Sequence, residues 1–105
     1  MGANALITKI KQQIIKEIHP FRIYLFGSQA KGTGTKDSDI DLLIIADLEG
    51  PRQKRNLTIR RLFPNRSFPL DVFVFTKEEF ERQKILTNSI SNIVLREGKL
   101  LYERK

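Results

Sequence analysis

The chain has 105 residues, of which 40% are hydrophobic and 30% are charged, and its formal net charge is +7. This length and composition favour one soluble globular domain over residues 1–105, and no apolar run approaches the ~18 residues of a membrane span. The absence of cysteine and the presence of a single histidine exclude disulfides and thiolate or histidine-based metal sites, so a cytoplasmic location is the expectation that remains. The basic balance favours nucleotides, other polyanions or acidic proteins as partners.

The first predicted elements are a helix and a short strand. Residues 4–19 contain an apolar series with helical spacing, which includes Leu6 and Ile10. Pro20 ends the helix, because the residue before a proline is pushed out of the α region. Residues 21–26 are rich in aromatic and β-branched side chains and predict a strand.

Gly27 and Ser28 directly follow that strand and form a candidate phosphate site. A Gly-Ser step between a strand and the start of a helix exposes backbone N–H groups to an anion. Glycine at position 27 allows the backbone to approach phosphate closely, and Ser28 is expected to cap the helical turn that Gln29 begins. The glycine and threonine residues at positions 32–35 predict a flexible loop.

Two aspartates begin the next strand, which is predicted for residues 39–46. Asp39 and Asp41 point to the same side because side chains alternate along a strand, and the apolar run after them is typical of a central strand covered on both faces. Carboxylates so close repel each other unless a cation lies between them, and Mg²⁺ prefers oxygen ligands. Asp71 lies near the start of a third predicted strand, residues 69–75, where a lone buried carboxylate would be costly. The three aspartates therefore predict a site for a metal and a nucleotide.

A basic segment separates these two strands. It contains six basic residues and no acidic one: Arg52, Lys54, Arg55, Arg60, Arg61 and Arg66. The pattern is compatible with a short helix that Pro64 ends. It indicates either a patch for an acidic partner or nucleic acid, or a solvated helix face, and neither interpretation is preferred. No aromatic residue lies among the charges before Phe63, so stacking on single-stranded nucleic acid is poorly supported.

The last part of the chain predicts helix followed by strand. Thr76 and Glu79 have the spacing of a capping box that opens a helix. Three apolar residues are expected to bury one side of it: Phe80, Ile85 and Leu86. A helical period then continues to Gly98, a suitable residue to follow a helix, and residues 99–103 predict a last strand. The order of all the elements predicts an α/β (α+β) fold, a small mixed β-sheet packed with helices.

The motif residues resemble the signature of the polymerase-β-like nucleotidyltransferase superfamily: Gly27, Ser28, Ala30, Gly32 and Ser38 to Leu42. Asp71 matches the third carboxylate of that pattern. The short length and the ending at residues 96–103 resemble the minimal nucleotidyltransferase (MNT) branch in particular. Many MNT domains have arginine where this chain has Gln29 and Lys31, which changes the basic contacts to a triphosphate.

The resemblance implies a Mg²⁺-dependent nucleotidyltransferase that moves AMP from ATP onto a hydroxyl. The acceptor it implies is a partner HEPN toxin, for which the chain is the antitoxin. Asp39, Asp41 and Asp71 would be the catalytic residues and would hold two Mg²⁺ ions, with Asp71 near the incoming hydroxyl. The triphosphate is expected to contact four residues: Gly27, Ser28, Lys31 and Lys36.

Two other functions remain open. A non-catalytic binding module would neutralise a partner protein, or bind RNA, through the basic segment. Three converging carboxylates favour the enzyme, because a binding module does not need them. A stand-alone enzyme for small molecules would require an acceptor pocket, for which the sequence shows no signal.

Overall fold

The computed structural model describes residues 3–35 and 38–105. These residues form nine elements in chain order: α1 (Ala3–Ile18), β1 (Arg22–Phe26), α2 (Ser28–Lys31), β2 (Ile40–Ile45), α3 (Arg52–Arg60), β3 (Leu70–Phe75), α4 (Lys77–Gln83), α5 (Ile90–Glu97) and β4 (Lys99–Glu103). None of the helices in these two ranges is both long and apolar enough to cross a membrane.

The four strands form one mixed sheet in the order β3-β2-β1-β4. Strand β2 is parallel to β3, whereas β1 is antiparallel to both β2 and β4. The predicted fold class, a small mixed sheet with helices, is therefore confirmed. In this register Asp41 has Phe26 beside it on β1 and Asp71 beside it on β3.

Helices cover both faces of the sheet, and the central strand β2 is buried between them. Leu42 and Ile44 belong to a core cluster with residues of α1 and with Ile59 of α3. Leu43 and Ile45 belong to the opposite cluster, which includes Phe80 and Val94 of α4 and α5. The prediction that β2 is covered on both faces is confirmed, because all four side chains are at most 2% exposed.

The outer edge of β3 is closed by two side chains of α3. The Val74 N–H donates to Asn56 Oδ1 at 2.8 Å, and Arg55 donates from Nη1 to the Val74 carbonyl at 3.1 Å. Arg55 also makes a two-pronged ion pair with Glu79, at 2.7 and 2.9 Å, and the Arg55 residue is only 4% exposed. Arg55 is therefore not part of a surface patch, and the predicted basic segment loses one of its six charges to the interior.

Two apolar residues that follow α4 differ from the prediction. Ile85 and Leu86 are 78% and 55% exposed, so the expectation that they are buried is wrong. The reason is that α4 ends at Gln83 and the chain turns before Ser89, which caps α5 by accepting from the Asn92 N–H. The predicted capping box of Thr76 and Glu79 is confirmed.

Gly98 ends α5 as predicted, in an extended conformation with φ of −86°. A Cβ at this position would lie 2.6 Å from the Val94 carbonyl oxygen and 3.0 Å from that of Leu25. The glycine therefore permits the close contact between the end of α5 and β1.

Candidate active site

Three aspartates converge at one end of the sheet, on the face that α4 and α5 cover. Asp39 lies directly before β2, Asp41 is the second residue of β2, and Asp71 is the second residue of β3. Because β2 and β3 are parallel with Asp41 beside Asp71, both carboxylates start from the same level of the sheet. One carboxylate oxygen of each aspartate lies within 4.8 Å of the others. The structure thus brings together the three residues that the sequence singled out.

The electrostatics of this cluster favour a bound cation. Two effects raise the pKa of the Asp41 carboxyl from 3.8 to about 6. Burial is the larger, and the negative charges of Asp71 and Asp39 add to it. A divalent cation would reverse this effect, because it attracts all three carboxylates. Three carboxylate donors with one exposed member, Asp39, suit Mg²⁺, which binds oxygen and usually keeps part of its shell for water or phosphate. The donor set therefore fits the predicted metal.

Gly27 joins the phosphate motif to the aspartates. Its backbone has φ of 75° and ψ of −157°, a conformation that essentially only glycine adopts. A Cβ at Gly27 would lie 2.3 Å from Asp41 Oδ2, so the carboxylate packs directly against this glycine. Any substitution at Gly27 would therefore strain the backbone at this position, and it would also displace the Asp41 side chain.

The turn after Gly27 differs from the prediction in one respect. Helix α2 begins at Ser28 itself, and Gly27 takes the capping position without a side-chain hydrogen bond, so the expectation that Ser28 caps the turn is wrong. The Ala30 and Lys31 N–H groups donate to the Gly27 carbonyl oxygen, both at 3.2 Å. The first N–H groups of a helix have no partner within it, so those near Ser28 are available to an anion.

The side chain of Gln29 links this turn to the segment before Asp39. Its Nε2 donates to the Thr35 carbonyl at 2.8 Å and approaches the Ser38 carbonyl at 3.5 Å. The Thr35 N–H in turn donates to Ser38 Oγ at 2.9 Å. Sequence reasoning noted Gln29 as the start of the helical turn and as a replacement for arginine, but it missed this positioning contact, for which the sequence holds no signal.

Two lysines are predicted to contact a triphosphate, and the structure describes one of them. Lys31 Nζ lies 2.8 Å from Glu97 Oε1 at the end of α5, and the Lys31 side chain is 54% exposed. The contact between Lys31 and a triphosphate stays a prediction. To make it, the Lys31 ammonium group must break its ion pair with Glu97 and bind phosphate instead. Lys36 lies outside the described residues.

Comparison with known proteins identifies the class to which this site belongs. Residues 7–103 match the family model of the nucleotidyltransferase domain. A protein from Methanocaldococcus jannaschii, designated a candidate protein adenylyltransferase, is 33% identical over 99 residues, which cover 94% of this chain and 89% of the relative. The chain therefore belongs to the nucleotidyltransferase domain family, and it is a nucleotidyltransferase.

Solved structures show the same fold. A candidate nucleotidyltransferase from Sulfolobus solfataricus has a TM-score of 0.66 and 22% identity, over 95% of this chain and 79% of its own. A mutant of the toxin–antitoxin pair MntA–HpeT has a TM-score of 0.61 and 22% identity, over 94% of this chain and 73% of its own. A toxin–antitoxin structure with AMP-PNP has a TM-score of 0.55 and 23% identity, over 93% of this chain and 73% of its own.

Magnesium binding should release a proton in mildly acidic solution. With its pKa raised to about 6, the Asp41 carboxyl is mostly protonated at about pH 5 and mostly ionised at about pH 7, and a carboxylate must be deprotonated to bind a metal. We therefore expect the apparent affinity for Mg²⁺ to rise with pH up to about 6 and to level off above it. Calorimetric titration in buffers of different ionisation enthalpy measures the released proton. An affinity that does not change between about pH 5 and pH 7 would contradict the placement of Asp41 among the ligands.

The same pKa shift predicts how stability depends on pH without divalent cations. The pKa of Asp41 is raised from 3.8 to about 6 in the folded state, so between these values the folded protein binds more protons than the unfolded chain. The free energy of unfolding should therefore fall as pH rises through this window. Urea unfolding with a chelator present measures it, and Asp41→Asn, which has no titrating carboxyl there, should lack this contribution.

Proposed function

We propose that the chain, with residues 1–105 acting as one MNT domain, is an antitoxin of the cytoplasm that transfers AMP from ATP to a hydroxyl of a partner HEPN toxin. The observation that carries the proposal is the convergence of Asp39, Asp41 and Asp71 beside Gly27. Such an arrangement joins a cation site to a backbone that approaches phosphate closely.

Similar proteins support the choice of nucleotide and acceptor. The relative from Methanocaldococcus jannaschii is designated a candidate protein adenylyltransferase, which favours AMP as the group moved and a protein as the acceptor. Two of the structures with this fold come from toxin–antitoxin systems, and one of them contains the ATP analogue AMP-PNP. These likenesses favour ATP as the substrate and a toxin as the partner.

The reaction we propose is an in-line displacement at the α-phosphorus of ATP. The acceptor hydroxyl oxygen forms a bond to the α-phosphorus, the bond from that phosphorus to the α,β-bridging oxygen breaks, and pyrophosphate leaves with the bonding electrons. Magnesium, when bound by the three aspartates, supplies positive charge that stabilises the attacking and leaving oxygens. Asp71, the carboxylate of the cluster on β3, would accept the hydroxyl proton as the new bond forms.

The other residues of the site bind and orient the triphosphate. Gly27 lets the phosphates approach the backbone next to Asp41, and the N–H groups at the start of α2 together with the Ser28 hydroxyl bind phosphate oxygens. Gln29 holds the connection before Asp39, which keeps this carboxylate near the other two. Lys31 and Lys36 remain candidates for charge contacts with the terminal phosphates.

Position-specific labelling of ATP tests the reaction class. The protein, its toxin partner and Mg²⁺ are incubated with ATP labelled at the α- or at the γ-phosphorus. Label from the α position should appear on the partner, and label from the γ position should appear only in pyrophosphate. Asp71→Asn should still bind the partner and transfer neither label. A partner that carries γ label would show phosphoryl transfer and overturn the proposal.

A further inference from the structure

The positive charge of the chain is concentrated in two segments that pack against each other. Residues 1–16 and 50–70 contain nine of the 19 Lys and Arg residues and none of the 12 Asp and Glu residues. The rest of the chain holds ten basic and twelve acidic residues, so the net charge of +7 arises entirely from these two segments. Within the described part of the chain they meet on one face of the sheet, where Ile10 and Ile14 of α1 share a core cluster with Ile59 of α3.

Most of these charges are free to bind a partner. Only Arg55 among them is consumed by an ion pair with another described residue, Glu79. Arg52 is half-buried, with its guanidinium 4.4 Å from the centre of the Phe75 ring. The exposed cations of the two segments are Lys9, Lys16, Lys54, Arg60, Arg61 and Arg66.

An apolar groove of about 370 Å³ lies within this basic face, between α1 and the segment that follows α3. It is lined by Leu6, Lys9, Ile10, Gln13, Leu62, Phe63 and Phe68. Arg66 adjoins it, because its Nη1 is 3.5 Å from the Phe63 carbonyl oxygen. An apolar floor with cations at its rim and no acidic residue among its lining matches a ligand that is apolar on one side and acidic at its flanks.

The groove and the active site lie at the same end of the sheet, on opposite faces. Phe68 is three residues before Asp71 and leads directly into the start of β3. The aspartates lie on the face covered by α4 and α5, whereas the groove is formed by α1 and the segment after α3. A ligand in the groove would therefore leave the active site open. The part of the ligand outside the groove would lie near Asp71, on the edge strand β3.

We propose that this groove, bounded by residues 6–13 and 60–68, docks an acidic amphipathic helix of the toxin partner. The inference rests on the proposed function, because it supplies the site that holds the acceptor protein. A helix suits the groove because apolar side chains at helical spacing enter it while acidic residues on its flanks meet Lys9, Arg61 and Arg66. Docking raises the local concentration of the acceptor hydroxyl at the active site.

A protein helix fits this surface better than RNA does. Phe63 and Phe68 are half-buried and pack edge to face on each other at 6.4 Å, so their ring faces do not form a platform for stacked bases. Five of the seven side chains that line the groove are apolar, and Gln13 is its one neutral polar side chain. The groove therefore offers little to the polar edges of bases, whereas leucine-like side chains would bury apolar area there.

Matched charge-reversal variants test the docking site. Arg60→Glu with Arg61→Glu changes two exposed residues next to the groove. Lys99→Glu with Lys105→Glu makes the same change in net charge at exposed positions on β4 and after it. Binding of the toxin is measured by calorimetry without ATP and Mg²⁺, so the result does not depend on catalysis. The first pair should weaken binding about tenfold at low salt, and the control pair less than about twofold.

Hydrogen exchange locates the contact. Toxin binding should protect amides of residues 6–13 and 62–68, and a single-stranded RNA oligonucleotide should not. Equal loss of binding in both variant pairs, protection elsewhere, or protection of the groove by RNA but not by toxin would overturn the docking site. If the toxin protects the groove but receives no AMP from the wild-type protein, the docking site stands and the proposed reaction fails. If AMP is transferred and the two variant pairs bind alike, the reaction stands and the docking site fails.

Discussion

Replacing Asp41 by asparagine should reduce nucleotidyl transfer by about a thousandfold, because it removes the central carboxylate of the cation site. Asp41 is the member of the cluster that packs against Gly27 and lies beside Asp71 on the neighbouring strand. The substitution keeps the shape of the side chain, so we expect the fold to persist. Transfer of α-phosphorus label from ATP measures the effect.

A matched control lies just beyond the opposite end of the same strand. Asp47 is an exposed aspartate two residues after β2, and Asp47→Asn removes the same charge far from the cluster. This variant should retain normal transfer, while circular dichroism should show both variants folded. Wild-type rates in a folded Asp41→Asn protein would mean that the three aspartates do not form the catalytic site.

Replacing Arg55 by methionine should lower the free energy of unfolding by about 3 kcal/mol. Arg55 is buried and binds both the Glu79 carboxylate and the Val74 carbonyl, so its loss removes a charged donor from each of these two partners. Methionine fills similar space, which separates the lost charge from a cavity. Arg82→Met is the control, because the Arg82–Glu78 pair is exposed and should contribute less than about 1 kcal/mol.

The loss of stability in acid provides a second test of the Arg55–Glu79 ion pair. The hydrogen bonds from Arg55 lower the pKa of the Glu79 carboxyl from 4.5 to about 2. The pair therefore stabilises the fold above pH 4.5, and this contribution is lost as pH falls toward about 2. In the Arg55→Met protein, the decrease in the free energy of unfolding that comes from breaking this pair in acid should be absent. Urea unfolding at about pH 7 and pH 3 measures it, and an equal loss in both proteins would contradict the pair.

The aspartate cluster could be predicted from the sequence because its signals are local. Alternation along the predicted strand 39–46 places Asp39 and Asp41 on one side, and the apolar run after them indicates a central strand. Asp71 joined them in the prediction because a lone buried carboxylate in its strand would be costly and because it matches the third carboxylate of the family pattern. The strand order was not predictable, since pairing depends on contacts between distant parts of the chain.

Contacts between distant residues account for what the sequence could not predict. Arg55 looked like one more surface charge, and only the position of Glu79, 24 residues later, draws it into the interior. Lys31 pairs with Glu97 in the same way, across 66 residues of sequence. Ile85 was expected to be buried because its apolar character suggested a helix face, but it lies in the turn between α4 and α5.

The intact mass of the toxin partner, measured before and after incubation with this protein, ATP and Mg²⁺, tests the central claim most directly. We expect the mass to increase by whole AMP units and the AMP to be attached to a residue whose side chain has a hydroxyl group. No increase should occur with the Asp71→Asn protein. Complete neutralisation of the toxin without ATP, with no change in its mass when ATP is present, would contradict the account and show that the protein acts by binding alone.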